Sequence, residues 1–300
     1  MDMKISVVIP VRNDGEKLSA CLDTLVAQSA ACEVIVVDGG DDYTFQLCLD
    51  YARILDVKWF KEKGEFKCPG NARNIGLQKM TGDIVIFADA DSLFEPDFCR
   101  KVLEEFDETG CDIAKFRIGE LDVLPDMSWV ERAYYYRDYA RWNNAWCFVY
   151  KKSVLPENPF PVGVGYGEDR FFSSMLKGIW DSNRFVKCTT YTVLKFYQRG
   201  PTSLNEVVKR YMWYGRTSRA YLDRKFDWHV FGLFVASLYF WLVFPLIIPL
   251  ARGLAFSSRS LDRYPQGIVI IPFLECLALP CFAAGILQDT FSRRNNDRGV

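Results

Sequence analysis

"DIVIFADADSLFEPD", residues 83–97, decides how the rest of the chain is read. Ile84, Val85, Ile86 and Phe87 form an unbroken apolar run, the signature of a strand buried on both faces. The run leads straight into Asp89 and Asp91, two carboxylates one residue apart. Like charges this close repel, so stability gives no reason to place them there, whereas a bound cation does. Residues i and i+2 of a strand point the same way, so the two acids can face one ligand. Hard oxygen ligands suit Mg2+ or Mn2+, with phosphate oxygens of a substrate completing the shell. A capping or solvated turn is the structural alternative, because D-x-D alone is common on loops.

Outward from this stretch, short β-rich runs alternate with helical ones. Strands are expected at residues 5–9, 34–37 and 57–60, and helices at 16–28, 43–54 and 71–80. Pro96 is expected early in the next helix, where its missing N–H costs nothing. This alternation implies βαβ units and a mostly parallel sheet covered on both faces. Ligands of such sheets bind at the carboxyl ends of the strands, and Asp38, Asp89 and Asp91 all fall at that edge.

Two further stretches carry chemistry. "PGNARNIGL", residues 69–77, opens a helix with Asn and Arg expected to be exposed at its start. A helix N-terminus with Arg73 beside it suits an anion, although a plain cap with a surface Arg has the same spelling. In "GVGYGEDRFFSSMLKG", residues 163–178, three glycines precede Glu168 and Asp169 at the start of a helix. That helix is expected to present Phe171, Phe172, Met175 and Leu176 to the core. Acids at a helix N-terminus gain about 0.3–1 kcal/mol from the dipole. The alternative is that one of them is a general base.

The chain has 300 residues, half of them hydrophobic, enough for one large domain or a domain with an appendage. A formal net charge of −1 gives no global pull toward nucleic acid. Residues 195–225 are locally basic: Lys195, Arg199, Lys209, Arg210, Arg216, Arg219, Arg224 and Lys225 face only Glu206 and Asp223. The ten cysteines contain no CxxC pair and read as small buried hydrophobes in a reducing compartment. No signal peptide is legible before Arg12, so the folded part is expected in the cytosol.

Composition changes after residue 225. Residues 230–251 contain no charge and are long enough to cross a bilayer. A second apolar stretch, residues 267–287, holds Pro272, Pro280 and Glu275, and Glu275 is expected to face a partner helix unless the segment is re-entrant. A buried core hairpin is the alternative for both. The expected division is a catalytic domain at 1–205, a basic amphipathic juxtamembrane helix at 206–227, two transmembrane segments within 228–290 (about 229–251 and 267–288), and a polar tail at 291–300. This implies a multi-pass membrane protein with its N-terminal domain cytosolic, which the positive-inside rule fixes only weakly because Arg252, Arg259 and Arg263 lie between the segments.

Taken together, "SVVIPVRND", "VIVVDGGDD", "PGNARNIGL", "IVIFADAD" and "GYGEDRFF" resemble, in order and spacing, the family 2 glycosyltransferases of GT-A fold, over about residues 4–220. "SLNEVVKRYMWYGR" is similar to the helix that follows the catalytic domain in membrane-attached members. The resemblance implies a Rossmann-like domain that binds a nucleotide-diphospho-sugar, with Pro10, Arg12 and Asp38 around the nucleoside. It implies Asp89 near the ribose and the metal, Asp91 as direct ligand of a divalent cation (Mn2+ or Mg2+), and Arg73 near the donor pocket. Asp169 matches the family's base and Glu168 its acidic neighbour. Many members carry a further metal-ligating His where this chain reads "LKFYQRGPTS"; Gln198 stands there, and Arg199 is the candidate for the missing positive charge at the diphosphate. The single His, His229, sits at the edge of the apolar segment and reads as structural.

The implied reaction is an inverting transfer from a UDP- or GDP-sugar to a hydroxyl, with a lipid-linked saccharide as expected acceptor at the cytosolic membrane face. A polyprenyl phosphate acceptor is already ionised and needs no base, so an intact Glu168–Asp169 pair favours a hydroxyl. Trp142 and Trp146, in the aromatic run 128–148, are candidates for an acceptor subsite, with core packing as the alternative. A nucleotidyltransferase would need a Gly-rich loop after the first strand, and a dinucleotide oxidoreductase a G-x-G-x-x-G; "VRNDGEKL" is neither. A non-catalytic membrane scaffold retaining the fold is the remaining alternative, and it leaves both acid pairs unexplained. Processive synthesis is disfavoured because "QRGPTSL" is not Q-x-x-R-W.

Overall fold

β1 (Ile5–Val11) and β2 (Cys32–Asp38) are buried along nearly their whole length, as their Val and Ile runs require of central strands. The computed structural model describes residues 3–64, 67–118, 127–138, 148–182, 188–198, 200–222, 247–257 and 266–296. Two compact units are distinguished. One comprises the described parts of Met1–Val123, Asn143–Gly163 and Glu168–Gln198; the other, those of Leu124–Trp142, Val164–Gly167 and Arg199–Val300.

In the first unit β3 (Asp56–Lys61), β2, β1 and β4 (Ile84–Phe87) lie parallel in that order. They are joined by α1 (Gly15–Val26), α2 (Thr44–Tyr51) and α3 (Pro69–Lys79). α1 buries Leu18, Cys21, Leu22 and Leu25, the i, i+3, i+4, i+7 stripe of an amphipathic helix. β5 (Ser92–Phe94), α4 (Phe98–Thr109), β6 (Ile113–Ile118), β7 (Phe148–Lys151), α6 (Glu168–Ser182) and β8 (Cys188–Gln198) follow, while α5 (Trp129–Asp138), between β6 and β7 in sequence, belongs to the second unit. The full order is β3-β2-β1-β4-β7-β6-β8-β5. The far half is mixed rather than parallel: β7 runs antiparallel to β4 and β6, β6 parallel to β8, and β5 antiparallel to β8. The chain leaves β4 by a tight turn into β5 instead of a helical crossover, so the place beside β4 goes to β7, entering from the opposite end. Pro96 is a second correction. α4 begins at Phe98, and Pro96 sits in the turn before it, its carbonyl accepting from the Ser29 N–H at 2.9 Å.

One face of the sheet carries Val8, Ile35, Val37, Val85 and Phe87, packed with Ala72 and Leu77 of α3 and Phe172 and Leu176 of α6. The alternating residues Val7, Ile9, Val34, Val36 and Ile84 are fully buried as well, so the other face is also covered. α3 lies hard against β1 because Gly76 has no side chain: a Cβ there would fall on Cγ1 of Val8. Gly76→Val is therefore expected to cost about 1–3 kcal/mol by overpacking, read as a lower urea midpoint with unchanged slope.

At the amino edge, Glu33 is buried beneath Ser6, Lys58 and Thr81, all of which bond its carboxylate. Burial alone would raise its pKa; Lys58, Ser6 and Thr81 outweigh it and hold the pKa at about 2, against 4.5 unperturbed. A depressed folded pKa gives stability that is present above the unfolded value and lost as pH falls through the folded one. On the order of 3 kcal/mol should vanish between about pH 4.5 and 2, and Glu33→Gln should flatten that limb of the acid denaturation curve.

The second unit is helical: α5, α7 (Leu204–Leu222), α8 (Ile247–Ser257) and α9 (Gly267–Asn296). α7 starts with a reciprocal cap. The Glu206 N–H donates to Ser203 Oγ at 3.3 Å, and the Glu206 carboxylate accepts from Thr202 N–H and Oγ1 at 3.0 Å. Its core joins Val130, Tyr134, Val207, Tyr211, Leu279, Phe282 and Ile286. α7 and α9 touch backbone to backbone at Gly215 and Gly285, where a Cβ would meet the Phe282 and Met212 carbonyl oxygens. α9 runs unbroken through Pro272 and Pro280, and Glu275, fully buried, pairs with Arg252 of α8 at 3.1 Å. Glu275 thus faces a partner helix, and the second apolar segment is one continuous helix. Among the described residues, Gly267–Asp289 alone is long and apolar enough to cross a membrane, with hydropathy 2.1, and half of that window is buried within the protein. Most of the first apolar segment, residues 229–246, lies outside the described residues.

Candidate active site

The turn after β4 presents the acids of the opening stretch. The strand ends at Phe87, so Asp89 and Asp91 are not aligned by strand periodicity. A turn closed twice aligns them: the Ser92 N–H donates to the Asp89 carbonyl at 3.0 Å, and the Asp89 N–H to Ser92 Oγ at 3.1 Å. Asp91 is buried and the Asp89 side chain is 26% exposed. Cys21, on α1, has its thiol pKa pushed up by burial and by the charges of Asp91 and Asp89.

Arg73 ties this turn to α6. The sequence suggested an exposed Arg at a helix start, but the guanidinium is 1% exposed. It donates to Asp89 Oδ1 at 2.7 Å and to Glu168 Oε1 at 3.0 Å. α3 points it there because Cys68 enters extended, Pro69 takes the first helical position and Arg73 follows one turn later. Gly167, at φ 88°, turns the chain into α6. Glu168 is buried, and Asp169 next to it is less so. Burial and the charge of Asp169 push the Glu168 carboxyl up to about 8, against the pull of Arg73. Burial also raises Asp169, opposed by Arg170 and Arg73. Carboxylic acids raised in this way, beside a fixed cation, suit proton transfer above the ordinary carboxylate range.

The neighbouring edge holds the remaining first-half residues. Pro10 and Val11 close β1, paired with Val37 and Asp38, and Arg12 follows, exposed. Asp38 is 1% exposed and accepts from the Gly40 N–H at 2.7 Å, Trp59 Nε1 at 3.3 Å and Lys61 Nζ at 3.4 Å. Asn13, at φ 54°, accepts from the Asp41 N–H at 2.8 Å. Gln198 pairs through its backbone with Ser92, one residue from Asp91. Trp142, Trp146, Arg199 and His229 lie outside the described residues. Two residues not singled out from the sequence also shape this edge. Buried Glu62 accepts from the Cys68 N–H at 3.1 Å and Asn71 Nδ2 at 2.8 Å, and Asn74 holds the backbone of Phe160. Their signal was a polar side chain in a loop or helix interior with no local partner in sequence.

The family model for glycosyl transferase family 2 matches residues 6–171, from β1 through Glu168 and Asp169. The chain belongs to glycosyl transferase family 2. Its fold is the GT-A fold. Among curated relatives, it is 33% identical over 116 residues to Glycosyltransferase GlyA of Streptococcus pneumoniae, covering 38% of this chain and 16% of GlyA. It is 24% identical over 196 residues to the poly(ribitol-phosphate) beta-N-acetylglucosaminyltransferase TarS of Staphylococcus aureus, covering 61% of this chain and 33% of TarS. The chain thus spans a third or less of these two family members. The crystal structure of S. aureus TarS 1-349 in complex with UDP-GlcNAc superposes at TM-score 0.56 and 16% identity, over 97% of this chain and 92% of that one. Glucosyl-3-phosphoglycerate synthase from Mycobacterium tuberculosis, in complex with Mn2+, UDP and glucosyl-3-phosphoglycerate, does so at 0.50 and 17%, over 74% and 80%. At these identities the structural likeness speaks for the fold.

Proposed function

We propose that the protein is an inverting, cation-dependent glycosyltransferase that moves a sugar from a UDP-sugar to a hydroxyl acceptor, a lipid-linked saccharide. The observation that carries this reading is Arg73, which draws the Asp89 turn and the Glu168–Asp169 pair, separated by some eighty residues, to one buried cation. The nucleoside would lie over Pro10, Arg12 and Asp38. UDP rather than GDP is supported by the nucleotides named for TarS and glucosyl-3-phosphoglycerate synthase.

The residues fit a divalent cation. Asp89 and Asp91 stand on one hydrogen-bonded turn, and among the described residues no group of three or more His, Cys, Asp or Glu is placed to hold a metal. Asp89 and Asp91 would then supply only part of an oxygen shell, leaving positions for diphosphate and water, as Mg2+ and Mn2+ prefer. When bound, the cation supplies Lewis-acid neutralisation of the leaving diphosphate. Arg73 adds a fixed positive charge on the same side. Asp169 accepts the proton of the acceptor hydroxyl as its oxygen bonds to C1, the C1–O bond to the diphosphate breaks, and the anomeric centre inverts. Glu168, pinned by Arg73, keeps the start of α6 in place. α9 supports attachment to a membrane, with residues 229–251 as a second segment and the catalytic unit on the cytosolic side.

The test is UDP release by membranes carrying the protein, with single UDP- and GDP-sugars, Mn2+ or Mg2+, and a lipid extract. Release from one donor, lost in Asp91→Ala, is expected. Release that survives both Asp91→Ala and chelation would end the cation reading, and full turnover in Asp169→Asn would shift the acceptor to a phosphate.

A further inference from the structure

α3 grips α6 at two points, and only one of them is the Arg73–Glu168 ion pair. The other runs through Asn74. Its side-chain amide closes a two-point clamp on a single residue: Nδ2 donates to the Phe160 carbonyl at 2.8 Å, and Oδ1 accepts from the Phe160 N–H at 3.0 Å. Asn74 and Phe160 are each 2% exposed, so neither pair of groups has water as a substitute. The Phe160 ring stacks on Phe172 at 4.3 Å and 15°, and meets Phe87 of β4 edge-on at 5.1 Å. Phe172 lies one turn beyond Glu168 on α6. The guanidinium of Arg73 lies 5.4 Å from the centre of the Phe160 ring.

Gly70, one turn before Asn74, completes this face of α3. A Cβ there would stand 3.2 Å from Phe160 Cβ and 3.3 Å from both Glu168 Cβ and the Pro161 carbonyl oxygen. Gly70, Arg73 and Asn74 fall at i, i+3 and i+4, so a single helix face sets where α6 begins.

We infer that Asn74 is a positioning residue for the Glu168–Asp169 pair: by fixing Phe160 it fixes Phe172, and with it the first turn of α6. This rests on the proposed role of Asp169. Without the clamp, the tie from α3 through Phe160 to the first turn of α6 is lost, and that turn keeps only Arg73 and the edge-on packing of Phe172 on Phe87 and Tyr150. Asp38 and the Asp89 turn are held by other bonds, so donor binding is untouched. A misplacement of about 1 Å at reacting groups costs on the order of 100-fold in rate.

Asn74→Ala should lower kcat by roughly 10- to 100-fold per folded molecule, with UDP-sugar KM and UDP binding within about 2-fold of the parent. Gly70→Ala tests the same face without removing a hydrogen bond or a helix former. Its methyl pushes Phe160 and Glu168 off α3, and it should show the same kcat-selective loss. Gln78→Ala, which breaks the exposed Gln78–Asn158 bond (2.9 Å) between the same helix and loop, should leave kcat unchanged. Parent kcat in both Asn74→Ala and Gly70→Ala would overturn the inference while Asp169→Asn remains inactive. A fall in activity that only tracks the folded fraction, or a loss of UDP binding, would overturn it too. Full turnover in Asp169→Asn would overturn the base reading, and the clamp's purpose with it.

Discussion

At a pH where Glu168 is ionised, Arg73→Met should lose about 3–5 kcal/mol of stability, because it leaves a buried carboxylate uncompensated. The parent guanidinium is 1% exposed and bridges Asp89 at 2.7 Å and Glu168 at 3.0 Å. Methionine fills much of the volume but donates no hydrogen bond. Burial and Asp169 already raise the Glu168 carboxyl against the pull of Arg73, so without Arg73 it rises further and stays protonated to higher pH. The penalty should therefore shrink as the pH is lowered, since a neutral acid tolerates burial better than an anion. Arg73→Lys keeps the charge but not the fork that reaches both acids, so it should fall between the two. Urea denaturation at two pH values reads all of this. A midpoint equal to the parent's in Arg73→Met would mean that solvent already screens the pair, against the burial described.

Asp169→Asn should reduce kcat by about 10²- to 10⁴-fold with little change in donor KM, the range for loss of a general base. The substitution keeps shape and removes one charge. Burial raises Asp169, and burial plus Asp169 raises Glu168, so the parent should gain kcat/KM with pH along a limb above the ordinary carboxylate range. That limb belongs to the pair rather than to one residue. In Asp169→Asn it should disappear. A variant that keeps both the rate and the limb would show that the proton leaves by another route, or that the acceptor arrives already ionised.

Half the sheet was legible because its strands are written as continuous Val/Ile runs, and β1, β2 and β4 appear within two residues of expectation at each end. The mixed half was not. β5 has three residues, and β7 reads like any short apolar run, so periodicity had nothing to work with. The acids were found for a partly wrong reason: a hydrogen-bonded turn, not a strand, aims Asp89 and Asp91. Arg73 was expected at the surface because propensity says nothing about which face of a short helix meets a distant loop. Asn74 and Glu62 escaped notice because their partners, Phe160 and the Cys68–Asn71 turn, are met only in the folded chain.

The order of the strands also bears on solubility. A sheet ends in unpaired peptide groups that can recruit a second molecule, and long flat apolar edges polymerise. Here one terminal strand is β3, which carries Lys58 and Lys61 among its six residues, and the other is β5, only three residues long. Lys58 and Lys61 are bound to Glu33 and to Asp38 and Asp41, so the same ammonium groups that close polar clusters at the two ends of β3 stand along its margin. An incoming strand would have to strip them of water and partners, and at the opposite margin it would find too little backbone to pair with. Among the described residues, both ends of the sheet thus disfavour fibrillar stacking.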